Sequence, residues 1–168
     1  KADAYGHGAL KVAQAIEDLP YLWGFAVATA DEAKDLIDQG IKKPVLILGL
    51  SFPEHYETIV DYDLRPAVCT LEEAEKLSEI AEKKRKICHI HLKIDTGMNR
   101  IGVRTEEAVE FIKQVQKADY LNFEGVFTHL ASAEEETETQ KQIERWHSVV
   151  DNIDTKGLLL HIQNTAAT

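Results

Sequence analysis

Hydrophobic and polar positions follow two alternating patterns along this chain. Short apolar runs are each followed by a segment in which apolar residues recur every three or four positions, as on one face of a helix. The runs predict six strands, and the periodic segments predict the helices between them. The strands are predicted at Trp23–Ala28, Pro44–Leu50, Pro66–Cys69, Cys88–Ile94, Phe123–Thr128 and Leu158–Gln163. The clearest helices are predicted over residues 8–18, 70–84, 105–118 and 137–152, with another that follows Thr29 and ends at Gly40.

Three helix starts carry a Ser or Thr followed three residues later by Glu. In this capping box, the hydroxyl and the carboxylate accept hydrogen bonds from N–H groups that the first helical turn leaves free. The pairs are Thr29 with Glu32, Ser51 with Glu54, and Thr70 with Glu73. We expect a capped helix to begin at each of them.

The strands show little alternation of apolar and polar residues, which is typical of parallel strands covered on both faces. Both a doubly wound open sheet and a β/α barrel fit this pattern. Polar residues decide between them, because a barrel gathers the C-terminal ends of all its strands around one mouth. Such ends carry Lys1 (taken as the end of an upstream strand), Lys93 with Asp95, His129, and Asn164 with Thr165.

We therefore predict an α/β protein with an incomplete (β/α)8 TIM barrel, having six to seven of the eight strands. Residues 1–168 are expected to form a partial barrel domain of a longer protein, because a complete barrel takes about 250 residues and the chain opens at Lys1 without Met.

The composition of the chain limits the kinds of partner that we expect for it. The net charge of −10 argues against a nucleic-acid partner, and no apolar run is long enough to span a bilayer. The basic run of residues 83–86 and the acidic run of residues 134–138 are interpreted as a solvated helix end and a solvated helix start. Cys69 and Cys88 lie in apolar strand-like runs, which suggests unpaired buried thiols and a cytoplasmic location.

The first eight residues hold the candidate chemistry. Lys1 is followed by Tyr5 and by His7 between two glycines, Gly6 and Gly8. A lysine amine can form a Schiff base with an aldehyde, and a glycine turn at a helix start can receive a phosphate. Together these features suggest pyridoxal 5'-phosphate. Taken alone, a lysine near a Gly-x-Gly sequence is more often an ordinary loop.

This segment resembles the cofactor-lysine motif of alanine racemases. Three further segments resemble motifs of the same family and follow in the same order, so that the resemblance covers the whole chain. They are residues 91–103 (HLKIDTGMNRIGV), 124–133 (EGVFTHLASA) and 161–168 (HIQNTAAT).

The resemblance implies roles for the residues around the cofactor. Lys1 would carry the pyridoxal phosphate and act as a catalytic acid or base, while Tyr5 would bind the phosphate. Thr165, where the family commonly has Ser, would bind the phosphate with its hydroxyl and neighbouring amides, next to Asn164. His129 would pack against the pyridine ring, and His161 would orient an arginine from beyond residue 168.

The resemblance also implies roles around the substrate. Arg100 would donate to the cofactor's phenolic oxygen near the substrate carboxylate. Lys93 matches a lysine that is often carbamylated in the family, which would turn a cation into an anion able to hold Arg100. Asn99 stands where many relatives have glycine, and we expect the turn to tolerate it. His89 and His91 would share a strand face with Lys93, but we predict no metal site, because no Cys or carboxylate cluster has metal spacing.

The implied activity is interconversion of L- and D-alanine by two-base proton transfer at Cα, supplying D-alanine for cell-wall peptidoglycan. The second base would be a tyrosine from the C-terminal β domain of a partner subunit. We therefore expect a homodimer, with neither a nucleic-acid nor a membrane partner, and an inactive isolated segment. A serine racemase or a decarboxylase of basic amino acids is the nearest enzyme alternative. A non-catalytic single-barrel carrier of pyridoxal phosphate is the alternative from another class.

Overall fold

The computed structural model describes residues 2–162, in which helices and strands alternate. The helices are α1 (Asp3–Gly6), α2 (Ala9–Ile16), α3 (Ala30–Asp38), α4 (Tyr56–Asp61), α5 (Leu71–Lys84), α6 (Thr105–Val115) and α7 (Glu136–Val150), with a 3₁₀ turn at Pro53–His55. The strands are β1 (Phe25–Val27), β2 (Val45–Ile47), β3 (Arg65–Val68), β4 (Cys88–Asp95), β5 (Val103–Arg104), β6 (Leu121–Phe127) and β7 (Leu159–His161).

Each of the six predicted strands overlaps an observed strand, with bounds that differ by up to three residues, and the observed strands pair in parallel. The order across the sheet is β1-β2-β3-β4-β6-β7, and the short β5 pairs with β4 beside this path. The patterns did not predict β5, because two residues are too short for any period to appear. The predicted last strand runs to Gln163, a residue outside those described.

The sheet curls into part of a barrel, as predicted, and is not an open flat sheet. Trp23 lies just before β1, yet its ring centroid is 5.3 Å from that of His91 on β4, three strands away in the sheet order. Neighbouring strands are about 4.8 Å apart, so a flat sheet would separate β1 from β4 by roughly 14 Å. Curvature brings the two rings together over the inner face.

The main hydrophobic core lies between the sheet and the helices. Ile90, Leu92 and Ile94 alternate along β4 and are fully buried, as are Leu77 of α5 and Ile112 of α6. Each fully buried aliphatic side chain of this size stabilises the fold by about 1.5–3 kcal/mol. The alternate residues of β4 face the inner side of the sheet, where the candidate site is found.

Two of the three predicted capping boxes are confirmed. The Thr29 hydroxyl accepts from the N–H of Glu32 at 3.3 Å, and the Thr70 hydroxyl accepts from the N–H of Glu73 at 3.2 Å. The carboxylates of these glutamates accept N–H groups just before the helices, from Ala28 and Cys69.

The capping box predicted at Ser51 is wrong. Pro53 opens a 3₁₀ turn whose N-cap is Phe52, so Ser51 lies one residue too early to cap it. The Ser51 hydroxyl is buried and has no hydrogen-bond partner in the described part of the chain. The Ser-x-x-Glu spacing alone does not reveal this shift of one residue.

The two charged runs take the predicted positions. Helix α5 ends at Lys84, whose ammonium pairs with Asp61 at 2.8 Å and Glu57 at 3.4 Å, and Arg85 closes the helix in the left-handed conformation. At the other run, exposed residues Glu134–Glu138 lead into α7. Both runs are largely exposed to solvent, and their charges interact favourably with the dipoles of the helices that they flank.

The two cysteines are free thiols, and burial raises the pKa of each to about 12. Both are therefore protonated at neutral pH, as expected of structural rather than reactive cysteines. Among the described helices, none combines the length and apolar character needed to cross a bilayer.

Glu73 is the buried carboxylate of the α5 capping box, and it makes stability depend on pH. Burial raises its pKa from 4.5 to about 7, although two backbone N–H groups oppose the shift. A group with a raised pKa in the folded state contributes stability that is present below pH 4.5 and is lost as pH rises through 7. Glu73→Gln should therefore raise the free energy of unfolding at pH 8, by an amount on the order of 1–3 kcal/mol, and much less at pH 5.

Urea unfolding of the intact protein at both pH values measures this effect. Glu32→Gln is the matched control, because it removes the carboxylate from the more exposed capping box of α3. An equal gain in both variants would mean that burial of Glu73 is not the cause.

Candidate active site

Polar side chains gather where β4, β6 and β7 end, at the C-terminal edge of the curled sheet. Lys93, Phe127 and His161 are direct neighbours across these three strands. Just beyond them, the hydroxyls of Thr96 and Thr128 are buried and 2.9 Å apart, which ties the end of β4 to the end of β6. The mouth predicted from the sequence is present on these strands.

Lys93 is buried at this edge, with only 2% of its surface exposed. Its Nζ lies 4.7 Å from the centre of the Phe127 ring, a cation–π distance. No carboxylate in the described part of the chain forms an ion pair with it. Burial lowers the pKa of Lys93; Cys69 opposes this shift, the charge of Arg100 adds to it, and Asp95 opposes it more weakly. Lys93 therefore loses its proton more easily than a lysine at the surface does.

His161 is the last residue of β7 and lies flat on Phe127, with ring centroids 4.7 Å apart and planes within 5°. Burial lowers its pKa to about 4, and the neighbouring His91 and Lys93 contribute to the shift. The His161 imidazole is thus neutral at physiological pH.

A continuous series of polar contacts runs along the inner face of the sheet from its N-terminal to its C-terminal end. Asp63 Oδ2 pairs with Arg65 at 2.8 Å, and Arg65 Nε with Glu124 Oε2 at 3.3 Å. The same carboxylate oxygen is 3.2 Å from His91 Nε2, and His91 Nδ1 is 3.0 Å from His161 Nε2. We call these five residues the inner polar chain.

A β-bulge in β6 creates this chain. Ile90 pairs with Phe123, but His91 pairs with Gly125, so Glu124 is an extra residue opposite β4. A bulge of this kind redirects a side chain, and here the Glu124 carboxylate meets the His91 ring. Gly125 is needed beside it, because a Cβ there would lie 2.6 Å from the imidazole and 2.9 Å from the carbonyl oxygen of Leu159.

His89 joins this inner face, as the strand period predicted. Its Nδ1 is 2.8 Å from the Asn122 amide nitrogen and 3.6 Å from Glu124 Oε1. Within residues 2–162, no three His, Cys, Asp or Glu side chains are arranged to hold a metal ion.

The turn after β4 presents Arg100. Asp95 accepts hydrogen bonds from the N–H groups of Gly97 at 2.9 Å and Asn99 at 3.1 Å, which closes the turn. Asn99 has φ of 51°, in the left-handed region that Asn tolerates better than most residues. Asn99 therefore fits this turn, as expected from the sequence. Arg100 follows it and is exposed.

The segment after Lys1 forms a left-handed turn. Gly6 and Gly8 have φ of +83° and +91°, and the Asp3 carboxylate accepts the N–H of Ala9 at 2.7 Å, which caps α2. Tyr5 has 71% of its surface exposed. Helix α2 begins at Ala9, one residue after the predicted start.

The structure thus brings Lys93 and His161 together and places Arg100 and His129 in the loops that follow β4 and β6. Lys1, Asn164 and Thr165 lie outside the described residues. No sequence pattern singled out four residues that line this face: Trp23, Arg65 and Glu124 contact members of the inner polar chain, and Phe127 contacts Lys93 and His161. The charges of Arg65 and Glu124 within otherwise apolar strands were the sequence feature that could have indicated these two residues.

Comparison with known proteins fits this geometry. The family model for the N-terminal domain of alanine racemase matches residues 1–168. This chain belongs to that family. Alanine racemase 2 of Oceanobacillus iheyensis is 42% identical over the whole chain, which covers 44% of that protein. The alanine racemase of Carboxydothermus hydrogenoformans is 43% identical over 99% of the chain, which covers 46% of that protein.

Solved structures of racemases are also similar to this chain. An alanine racemase of Clostridium difficile has a TM-score of 0.92 and 38% identity over 98% of this chain, covering 44% of its own length. A histidine racemase of Leuconostoc mesenteroides has a TM-score of 0.88 at 28% identity, with 98% of this chain and 45% of its own covered. The chain spans slightly less than half the length of these relatives.

The close fit of Gly125 against His91 gives a prediction. Gly125→Ala should destabilise the intact protein by roughly 1–3 kcal/mol, because the added methyl group overlaps the imidazole. His91→Ala in the same chain should recover part of that loss. A double-mutant cycle by urea unfolding measures the coupling, and strictly additive effects would contradict a direct overlap.

Proposed function

We propose that the protein containing this chain is a pyridoxal 5'-phosphate-dependent alanine racemase. The observation that carries the proposal is the match along the whole chain to proteins named alanine racemase, at about 40% identity. The geometry supports it, because the strand ends combine a buried lysine, a neutral histidine and an exposed arginine. In β/α barrels, the active site lies at the C-terminal edge of the strands.

The described residues fit the cofactor. The edge offers cationic and neutral groups to an anionic, aromatic ligand, and in the turn before α2 no atom of the described residues lies within 4 Å of the place where a Gly6 side chain would begin. When bound, pyridoxal phosphate would withdraw electrons from the substrate Cα. We propose that Lys1 bonds to it and that Tyr5, Asn164 and Thr165 hold its phosphate.

The remaining residues would position ring and substrate. His129 would pack against the pyridine ring, and Arg100, at the exposed turn after β4, would bind the cofactor's phenolic oxygen and attract the substrate carboxylate. Lys1 would move the proton on one side of Cα. A second base would act on the opposite side, which gives the two-base scheme its stereochemical inversion.

We also propose a setting for the activity. The second base would come from another domain of a partner subunit, so the active form would be a homodimer and the isolated segment inactive. The product, D-alanine, would serve peptidoglycan synthesis in the cytoplasm, a compartment consistent with two free thiols.

Lys1 gives the first functional test. Reduction of the holoenzyme with borohydride should bleach its visible absorbance and leave the cofactor mass on the peptide that contains Lys1. Lys1→Ala should lower racemisation of alanine by at least about a hundredfold, because the residue that moves the proton is lost. Lys11→Ala, on the exposed side of α2, is the matched control and should keep full activity.

Attachment of the cofactor to another lysine would refute the assignment of Lys1. Rates with L-alanine, L-serine and L-histidine compare the possible racemase substrates. Cofactor binding without turnover of any amino acid would instead favour the carrier alternative.

We further propose that Lys93 is carbamylated. Its buried, more easily deprotonated amine can attack carbon dioxide, forming an Nζ–C bond and releasing one proton, which leaves an anionic carbamate. The anion would pair with Arg100, whereas two cations at this edge would repel.

Carbon-13 NMR of protein equilibrated with labelled bicarbonate should show one carbamate signal, absent in Lys93→Gln. Lys113→Gln, on α6, is the control and should retain the signal. A wild-type spectrum without a carbamate resonance at neutral pH would contradict the proposal.

A further inference from the structure

Helix α7 has three polar side chains that bind the loops following the strands. Thr139, Gln142 and Arg145 are spaced three residues apart, which places them along one side of the helix. Each of them makes a hydrogen bond with a main-chain group of such a loop. The Thr139 hydroxyl donates to the carbonyl oxygen of Ala133 at 3.3 Å. We call these three residues the loop-binding stripe.

Gln142 binds the loop between β6 and α7 with both ends of its side-chain amide. Its Oε1 accepts the N–H of Ala131 at 2.8 Å, and its Nε2 donates to the carbonyl oxygen of the same residue at 2.8 Å. Nε2 also donates to the carbonyl oxygen of Glu138 at 3.1 Å. Only 3% of the Gln142 surface is exposed, so breaking these bonds leaves buried polar groups unpaired. His129 lies two residues before Ala131 in the same loop.

Arg145 binds the turn between β4 and β5. Its Nη1 donates to the carbonyl oxygen of Thr96 at 2.8 Å. The next residue, Gly97, lies directly against the helix, because a Cβ there would be 3.0 Å from Gln142 Cγ and 3.3 Å from Arg145 Nη1. The turn that carries Arg100 therefore packs on the same stripe as the loop after β6.

These contacts go beyond what the sheet itself supplies. The strand ends fix only the start of each loop, where the Thr96 and Thr128 hydroxyls lie 2.9 Å apart. Gly97 and Ala131 come after that point, in segments whose main-chain groups have no strand partner. Side chains from one packed helix supply such partners and hold both loops at a fixed distance from each other.

We propose that Gln142 and Arg145 are positioning residues that set the distance between His129 and Arg100. Gln142 fixes the loop of His129, and Arg145 fixes the turn of Arg100. This inference rests on the proposed function, in which His129 packs on the cofactor ring and Arg100 attracts the substrate carboxylate. A displacement of about 1 Å at a reacting group can lower a rate by about a hundredfold, so these bonds affect activity from outside the site.

Hydrogen exchange of the intact protein, resolved to single residues by mass spectrometry, tests the loop-binding stripe independently of activity. In the wild type, the N–H of Ala131 should exchange at least about tenfold more slowly than an unbonded loop N–H, because Gln142 Oε1 accepts it. Exchange at the unbonded rate would overturn the proposal without any variant. Gln142→Met should remove this protection but keep the packing on Gly97, since methionine retains Cγ. Gln140→Met, the same change on the exposed side of α7, is the control and should leave the loop protected.

Titration with pyridoxal phosphate tests the role of Gln142 in the site. Gln142→Met should weaken cofactor binding by about tenfold, a loss on the scale of one hydrogen bond. The visible absorbance of the bound cofactor should also change, because His129 moves relative to the ring. Gln140→Met should bind the cofactor as the wild type does.

Steady-state kinetics with alanine test the role of Arg145. Arg145→Met should raise KM by about tenfold with a smaller change in kcat, because Arg100 moves relative to the substrate carboxylate. Arg145→Lys keeps a donor that can bind Thr96 and should have a KM close to that of the wild type. Lys141→Met, an exposed change on the same helix, is the control.

Two results would contradict the proposal in folded variants. Continued protection of Ala131 in Gln142→Met would mean that Gln142 does not hold the loop. Faster exchange with unchanged cofactor binding and unchanged KM in both variants would mean that the stripe serves stability alone. If Gln142→Met does not fold, the wild-type exchange rate and the substitutions of the exposed Arg145 still decide. A wild type that binds no cofactor would refute the proposed function, whereas the exchange of Ala131 would still show whether the stripe holds its loop.

Discussion

The structure depends on the fact that a curled parallel sheet must fill its own inner side. Helices cover the outer face with Leu77, Ile112 and their neighbours, but only strand residues and the segments leading into them reach the inside. Burying an unpaired charge there is costly, so charged groups on the inner side are stabilised by partners on neighbouring segments. Arg65 of β3 and Glu124 of β6 meet this requirement across the intervening β4 at 3.3 Å.

That requirement links packing to the site. The bulge that turns Glu124 inward also makes Gly125 necessary, because the His91 ring occupies the space of a side chain. Trp23 contacts His91 from the other side of the curve, so the curvature of the sheet and the orientation of His91 support each other. His161 is thereby held at the strand end by both its hydrogen bond and its stacking on Phe127.

The sequence predicted the six longer strands, the helices between them and the barrel, because each rests on local periodicity and on polar residues at strand ends. It could not predict β5 or the bulge, since two residues show no period and one extra residue is visible only in the pairing with β4. The capping box at Ser51 failed because Pro53 moved the turn by one residue. Lys93 was placed correctly, but its contact with Phe127 depends on the pairing of two distant strands.

The distribution of charge also bears on the site. The chain has a net charge of −10, yet the described edge concentrates Lys93 and Arg100, while the carboxylate of Asp95 is engaged by backbone N–H groups of its own turn. A cationic edge on an acidic protein attracts small anions locally and leaves the remaining surface repulsive to polyanions. Phosphate and carboxylate groups are small anions of this kind. The charge of Arg100 lowers the pKa of Lys93, so an anion between the two groups or loss of the Lys93 proton would reduce their repulsion.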